Sequence, residues 1–375
     1  MPTTLPTPLK LAVVIPTFNE SGNVAVLVHK LHQVLGHDNS WEIIFVDDDS
    51  PDGTSSLIRQ LSENHPRVRC LRRIGRRGLS SACTEGMLSS SARYFAIMDA
   101  DLQHDETKLP EMLHALDQEG YDMAVGTRYM EGGSVGNWQE DRIQTSQVAT
   151  WMSQRLLGLR VKDPMSGFFM LRREVFEGAV YKLSGIGFKL LVDLLASSRR
   201  DLRIKEIPFH FGLRLEGESK LDTRVIWDYL MLLADKRLGR YIPIQLISFA
   251  TVGSLGVLVH MLVLFVFMGA LKGEFMVGQV AAVSISMVFN FFVNNALTYR
   301  DKKLRGLNLI WGLFKFMLVC SVGGAANVGV ASWIYDDMGY WVFSGLAGIL
   351  VGLIWNYAAT SILVWSSSSK ANAGV

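Results

Sequence analysis

Asp99 and Asp101 stand one residue apart in Met98-Asp99-Ala100-Asp101-Leu102-Gln103-His104, directly after the apolar run Tyr94-Phe95-Ala96-Ile97. Carboxylates at that spacing can reach one divalent cation, and Gln103 offers a further oxygen. Oxygen ligands without cysteine favour Mg²⁺ or Mn²⁺, and Mg²⁺ in such sites bridges to substrate phosphates. A bare Asp-x-Asp is more often a solvated acidic turn, so its surroundings have to decide. The apolar run reads as a buried strand, and open parallel sheets bind ligands just beyond the carboxyl ends of their strands.

Two more apolar runs, 11–15 and 43–46, end in polar clusters: Pro16-Thr17-Phe18-Asn19-Glu20 and Asp47-Asp48-Asp49-Ser50-Pro51-Asp52-Gly53-Thr54. Asp47 and Asp48 can hydrogen-bond a base or ribose, whereas Asp52 and Gly53 read as turn formers. Arg128, Arg142, Arg214 and Lys220 fall on later loops. Arginine grips phosphate as a fork and lysine as a point charge. A sugar nucleotide suits this set, because a cation neutralises the departing diphosphate. A lipid phosphate acceptor is already anionic and needs orientation more than a base. His104 and His210 then read as structural, Asp163 and Pro164 as a turn, and Lys189 as the i, i+4 partner of Asp193.

The elements that must position these residues follow from periodicity. Further strands are expected near 68–71, 123–126 and 205–209, and helices near 23–35, 78–90, 110–118 and 143–157. This alternation predicts a mostly parallel sheet with helices on both faces, its acidic strand ends converging on one edge. The chain has 375 residues, room for more than one domain, and its net charge of +2 argues against a nucleic-acid partner. Cys70, Cys83 and Cys320 have no metal-ligand spacing and fit a reduced, cytosol-facing domain. The first eight residues show no signal-peptide pattern.

Hydrophobic residues make up 49% of the chain, and the excess lies after about residue 241. Apolar runs at 245–270, 277–299, 309–335 and 341–365 each reach the ~20 residues that cross a bilayer. Lys236, Arg237 and Arg240 precede the first, and Arg300, Lys302, Lys303 and Arg305 separate the second from the third. The positive-inside rule puts the N-terminal domain and the C-terminus in the cytoplasm. Residues 223–238 read either as a helix packed on the globular core or, since they lead into membrane, as an interfacial amphipathic helix, which is preferred. The expected domains are 1–222, catalytic; 223–243, juxtamembrane helix; 244–366, four-span; and 367–375, tail. Phe249, Ser254, Gly256 and His260 align with Phe316, Ser321, Gly323 and Asn327, and Asn290-Phe291 aligns with Asn356-Tyr357, so a two-helix hairpin is repeated. His260, Asn290, Asn294, Asn295, Asn327 and Asn356 should face the bundle interior, as interhelical hydrogen bonds or as a lipid headgroup path.

The strand-end motifs, together with Gly78-Leu79-Ser80-Ser81-Ala82, Gly126-Thr127-Arg128-Tyr129, Asn137-Trp138, Asp163-Pro164-Met165-Ser166-Gly167-Phe168-Phe169, Gly187-Phe188-Lys189 and Gly217-Glu218-Ser219-Lys220-Leu221, resemble the family 2 glycosyltransferases. They are most similar to the group that transfers mannose to a dolichyl or polyprenyl phosphate, over about residues 10–222. The tail resembles the GtrA-like membrane domains. The resemblance implies an α/β GT-A (Rossmann-like) domain followed by a four-helix transmembrane domain, and an inverting mechanism. It implies Mg²⁺ or Mn²⁺ on Asp99, Asp101 and Gln103. It implies a nucleotide-sugar site of Pro16, Phe18, Glu20, Val46, Asp48, Asp99, Ala100 and Gln103, with Arg214 and Lys220 closing over the donor diphosphate. It assigns the acceptor phosphate to Arg128, Arg142 and Ser146, and catalysis to Asp101, Arg128 and Arg142. Phe18, where the family often has Tyr, and the acidic Gln139-Glu140-Asp141 before Arg142 depart from the pattern. The expected reaction moves mannose from GDP-mannose to polyprenyl or dolichyl phosphate in the cytoplasmic leaflet. UDP-glucose or another donor stays open, as does a lipid-linked-sugar transporter with a regulatory soluble domain.

Overall fold

The computed structural model describes residues 9–36, 40–136, 140–198, 201–212, 223–270, 272, 275–338 and 341–365. The chain divides into two compact units, Met1–Arg240 and Tyr241–Val375. In the first, β1 (Leu11–Thr17), α1 (Ser21–Leu35), β2 (Trp41–Asp47), α2 (Thr54–Asn64), β3 (Val68–Arg72), α3 (Leu79–Leu88) and β4 (Tyr94–Ile97) alternate without a break. Then come α4 (Leu109–Asp117), β5 (Met123–Thr127), α5 (Glu140–Leu157), β6 (Phe169–Arg172), α6 (Arg173–Ala179), α7 (Leu190–Ser197), β7 (Ile204–Pro208) and α8 (Thr223–Leu238).

The strands form one sheet in the order β3-β2-β1-β4-β6-β5-β7. The apolar runs are buried on both sides because helices cover both faces. Side chains alternate between the faces, as the strand period of two requires. Val13, Ile15, Ile43, Phe45 and Ala96 join one core with α1, α2 and α4, while Ala12, Val14, Ile44, Val46 and Ile97 join the other with α3, α6 and α7. The expected parallel arrangement holds for β1 with β2, β2 with β3, β1 with β4, and β5 with β7. It fails at β6, which runs antiparallel to both β4 and β5. The short helix α6, directly after β6, was not expected either.

α8 packs on this unit. Tyr229, Leu232 and Leu233 are buried with Met165 and Val192. Lys236 Nζ lies 2.6 Å from Asp193 Oδ1, the two side chains 7% and 0% exposed. Of the two readings of 223–238, packing on the globular core therefore describes one face, while Ile226, Leu230 and Leu238 stay exposed on the other. The unit boundary falls after Arg240, so this helix goes with the first unit.

The second unit holds α9 (Ile244–Gly269), α10 (Phe275–Val293), α11 (Leu307–Met338) and α12 (Trp341–Leu363). Among the described residues, the stretches Ile244–Gly269, Val280–Thr298 and Leu307–Asn327 are long and apolar enough to cross a membrane. The fourth expected span is represented by the shorter apolar stretch Ala347–Leu363. The repeat is physical: the Cβ that Gly256 lacks would strike the Asn290 carboxamide, and that of Gly323 would strike Asn356. Each hairpin thus seats an asparagine of its second helix against a glycine of its first. Close backbone approach at small residues is how membrane helices associate. Asn295 bonds not to another helix but to flanking segments, accepting from Leu304 N before α11 at 2.9 Å and from Trp365 Nε1 after α12 at 3.1 Å.

Candidate active site

Three adjacent parallel strands deliver three loops to one edge. In register, Thr17 pairs with Asp47 and Val14 with Ile97, so β2, β1 and β4 run out to the same edge. Each acidic loop turns sharply through one residue with positive φ: Asn19 (59°), Asp49 (57°) and Leu102 (62°). For a bulky leucine that is an unusual conformation, held here by its neighbours. It lies between Asp101 and Gln103, whose backbone N donates to Asp101 Oδ1 at 3.2 Å.

The acids of the second loop do different jobs. Asp47 is 0% exposed and staples its own loop, accepting from Ser50 N at 3.0 Å and Ser50 Oγ at 2.5 Å. It is not free to read a base or ribose, which corrects half of the expected Asp47–Asp48 pair. Asp48 is held from behind. Arg73 Nε donates to Asp48 Oδ1 at 2.7 Å and Gly78 N donates to Asp48 Oδ2 at 2.8 Å. Arg73, 1% exposed, also bonds Ser81 Oγ at 2.8 Å, Gly78 O at 3.0 Å and Glu85 at 3.2 Å. Sequence reading missed this arginine, because Arg72-Arg73-Ile74-Gly75-Arg76-Arg77 looks like a solvated basic run.

Asp52 ties the first loop to the second, as a turn former should: Ser21 N donates to Oδ2 at 3.1 Å, and Thr54 N and Oγ1 to Oδ1 at 3.0 and 2.6 Å. Partial burial alone would raise its pKa, but the Thr54 and Ser21 donors prevail and hold it below the ordinary aspartate value. Glu20 accepts from Asn23 Nδ2 at 2.8 Å, and the Arg77 guanidinium stacks 4.3 Å from the Phe18 ring. Pro16 is half-buried at the end of β1, and Val46 and Ala100 are buried.

At the third loop, Asp99 N donates to His104 Nδ1 at 3.0 Å. That assigns the proton of a neutral imidazole to Nε2, which lies 3.8 Å from Asp99 Oδ2. The ring stacks on Phe168, so His104 is structural, as expected. The turn 163–167 closes on this loop: a Cβ on Gly167 would lie 3.1 Å from Asp99 Oδ2. Gln103 donates through Nε2 to Gly212 O at 3.0 Å, leaving its Oε1 as the atom able to ligate. Among the described residues no three carboxylates, imidazoles or thiols gather round one point. The donor set is two carboxylates and one amide oxygen, which fits a hard cation that takes its other ligands from phosphate and water.

The basic side is built in the opposite sense. Arg128 donates to Asp163 through Nε at 2.7 Å and Nη2 at 2.8 Å, and the pair is 6% and 0% exposed. Tyr129 OH donates to Ser146 Oγ at 2.9 Å, joining the β5 exit to α5. Arg142 lies one turn before Ser146 on the same helix, so both sit on one face. Lys189 does not pair with Asp193. Lys189 caps α7, its carbonyl accepting from Asp193 N at 3.1 Å, but its backbone is not helical, and the Asp193 carboxylate pairs with Lys236 instead. The Lys189 amine lies 3.4 Å from Met165 O. Burial, then Arg128, push its pKa down to about 8; Arg142 acts in the same direction, while Asp163 and Asp99 oppose. These five charges therefore share one neighbourhood. Arg214, Lys220 and Asn137-Trp138 lie outside the described residues, as does the tail 367–375.

Residues 12–179 match the family described as "Glycosyl transferase family 2", and residues 248–365 match "GtrA/DPMS, transmembrane domain". A dolichol-phosphate mannosyltransferase of Pyrococcus furiosus is 35% identical over 364 residues, covering 96% of this chain and 100% of its own length. The enzymes of that name from Mycosarcoma maydis and Saccharomyces cerevisiae are 37% and 34% identical, covering 68% and 66% of this chain and 85% and 94% of their own lengths. A solved glucosyl-3-phosphoglycerate synthase of Mycobacterium tuberculosis, in complex with Mn²⁺, uridine diphosphate and glucosyl-3-phosphoglycerate, superposes with a TM-score of 0.46 at 17% identity, over 61% of this chain and 80% of its own.

Proposed function

The chain belongs to glycosyl transferase family 2, among its dolichol-phosphate mannosyltransferases, and on that premise we propose that it moves mannose from GDP-mannose to a dolichyl or polyprenyl phosphate in the cytoplasmic leaflet, with inversion. It is a glycosyltransferase carrying a GtrA/DPMS membrane domain. What carries the reading is the meeting of two opposite charge sets at one sheet edge, acids from β2 and β4 and cations from β5 and α5.

In this reading Asp48 contacts the nucleoside, with Pro16, Phe18, Glu20, Val46 and Ala100 lining the same site. Asp99, Asp101 and Gln103 would hold Mg²⁺ or Mn²⁺, whose charge neutralises the diphosphate as it departs. Arg214 and Lys220 close over that diphosphate. Arg128, Arg142 and Ser146 orient the acceptor phosphate. One of its oxygens attacks the anomeric carbon in line with the departing GDP: the new carbon–oxygen bond forms as the glycosidic bond breaks, and the electron pair leaves with the diphosphate. Orientation replaces a general base because the attacking oxygen is already anionic.

The test is transfer of labelled sugar into lipid by the detergent-purified full chain, given polyprenyl phosphate, Mg²⁺ or Mn²⁺, and either GDP-mannose or UDP-glucose. Label from GDP-mannose alone is expected; label from UDP-glucose alone moves the enzyme to a glucosyl donor. Asp101→Ala should abolish metal-dependent transfer, and full activity in that variant would sink the assignment.

A further inference from the structure

The asparagines of the membrane unit divide into two kinds. Asn295 is bonded on both sides, whereas Asn294, outside the cavity lining, donates to Asn290 O at 2.9 Å but has its own Oδ1 buried without a partner. Asn290, Asn327 and Asn356 line one cavity of about 270 Å³ between α10, α11 and α12, together with Cys320, Gly323 and Gly352. The Oδ1 atoms of Asn290 and Asn356 are buried without a hydrogen-bond partner. An unmet polar group costs several kcal/mol in hydrocarbon, and membrane helices bring such groups together only where something polar meets them.

The fold holds the cavity open on purpose-built geometry. A Cβ on Gly352 would lie 3.2 Å from Gly323 O and 3.2 Å from Asn327 Cβ, so two glycines let α11 and α12 approach while leaving the recess. The Gly256 and Gly323 notches fix the carboxamides of Asn290 and Asn356 in place. Each carboxamide brings two N–H donors and one carbonyl acceptor. No charged side chain joins them among the described lining residues. The space equals roughly nine waters at ~30 Å³ each. Donors and acceptors in a neutral setting match hydroxyl groups, each of which both gives and takes a hydrogen bond. They do not match a bare phosphate or ammonium, which would need a counter-charge among neutral membrane helices.

We propose that this cavity is a binding site for the uncharged, hydroxyl-bearing headgroup of a membrane lipid. The shared chemistry has two sources, a hexosyl headgroup and a glycerol headgroup. The site stands in the second unit alone and does not depend on which reaction the first unit performs.

The test uses the full chain in phosphatidylcholine nanodiscs, and reads thermal unfolding with monoglucosyl-diacylglycerol, with diacylglycerol, or with neither. Binding to the folded form alone raises the unfolding midpoint, here by about 2–4 °C at saturation. A rise with the glucosyl lipid alone identifies the hexose, and a rise with both shows that one hydroxyl is enough, whether on the sugar or the free glycerol hydroxyl of diacylglycerol. Asn327→Leu should remove the rise while leaving sugar transfer unchanged. If that variant fails to fold, Asn356→Gln, which keeps the chemistry but crowds the Gly323 notch, should weaken the rise several-fold. No rise with either lipid, or an equal rise in Asn327→Leu, overturns the proposal and leaves a cavity filled by water.

Discussion

The two halves of the candidate site solve one problem with the signs exchanged. On the β1–β4 side a carboxylate beyond the strand ends, Asp48, is backed by a buried arginine, Arg73. On the β5–β7 side an arginine beyond the strand end, Arg128, is backed by a buried carboxylate, Asp163. In both, the supporting charge is almost wholly inside, 1% exposed for Arg73 and 0% for Asp163. A buried ion pair contributes little net stability, but breaking one leaves an uncompensated charge. The lesson is that these pairs fix direction: each holds a charged group rigid before any substrate arrives, so little rearrangement is left for the reaction itself.

The sharpest way to break the comparison is Arg73→Ala. It strands the Asp48 carboxylate and should cost about 3–5 kcal/mol in urea unfolding, with nucleotide affinity falling alongside. An unchanged unfolding midpoint would mean that Arg73 is no support at all. Next in size is Asp163→Asn, which keeps the shape and removes the charge. A roughly 10- to 100-fold fall in kcat/KM for the lipid acceptor is expected, with donor KM unmoved. A change in donor KM instead would show that the two sides are not separate.

Lys189→Met tests the buried amine on the basic side. Folding lowers its pKa from 10.5 to about 8, so the folded protein binds that proton less readily than the unfolded chain. The penalty is complete below about 8 and gone above 10.5, and wild-type stability should therefore climb between those pH values. The methionine variant should unfold at a higher temperature at neutral pH, lack that climb, and transfer sugar about tenfold more slowly. Matching pH profiles of unfolding in the two proteins would remove the buried amine from the site. Tyr129→Phe is the mildest change. Losing its bond to Ser146 is worth about 0.5–1.5 kcal/mol, a two- to tenfold rise in acceptor KM.

Much of this could be read along the chain, for definable reasons. Asp99, Asp101 and Asp48 follow uninterrupted apolar runs, and a strand buried on both faces leaves no other place for its first polar residue than the edge. The hairpin repeat was visible because Gly256 and Gly323, and Asn290 and Asn356, occupy matching places, and the structure shows them in contact. The supports were not legible. Arg73 and Asp163 have no local pattern, since each acquires its partner only when segments 25 or 35 residues distant pack together. Asp47 and Asp48 look equivalent as neighbours, and only the hydrogen bonds of Ser50 separate them. The Lys189–Asp193 expectation relied on helical spacing at a residue that precedes its helix, and Asp193 is paired instead with Lys236.

The antiparallel β6 has a consequence for synthesis. β4 is complete at Ile97, with β1 on one side, but its other side waits for Phe169–Arg172. At ~5–20 residues per second, that edge stands open for roughly 4–15 s on the ribosome. Tyr94-Phe95-Ala96-Ile97 is an uncharged, β-prone segment throughout that interval, the kind that pairs with stray strands. The β1–β4 half can be built early, but it is safe from aggregation only after the later half of the domain has supplied its inserted strand.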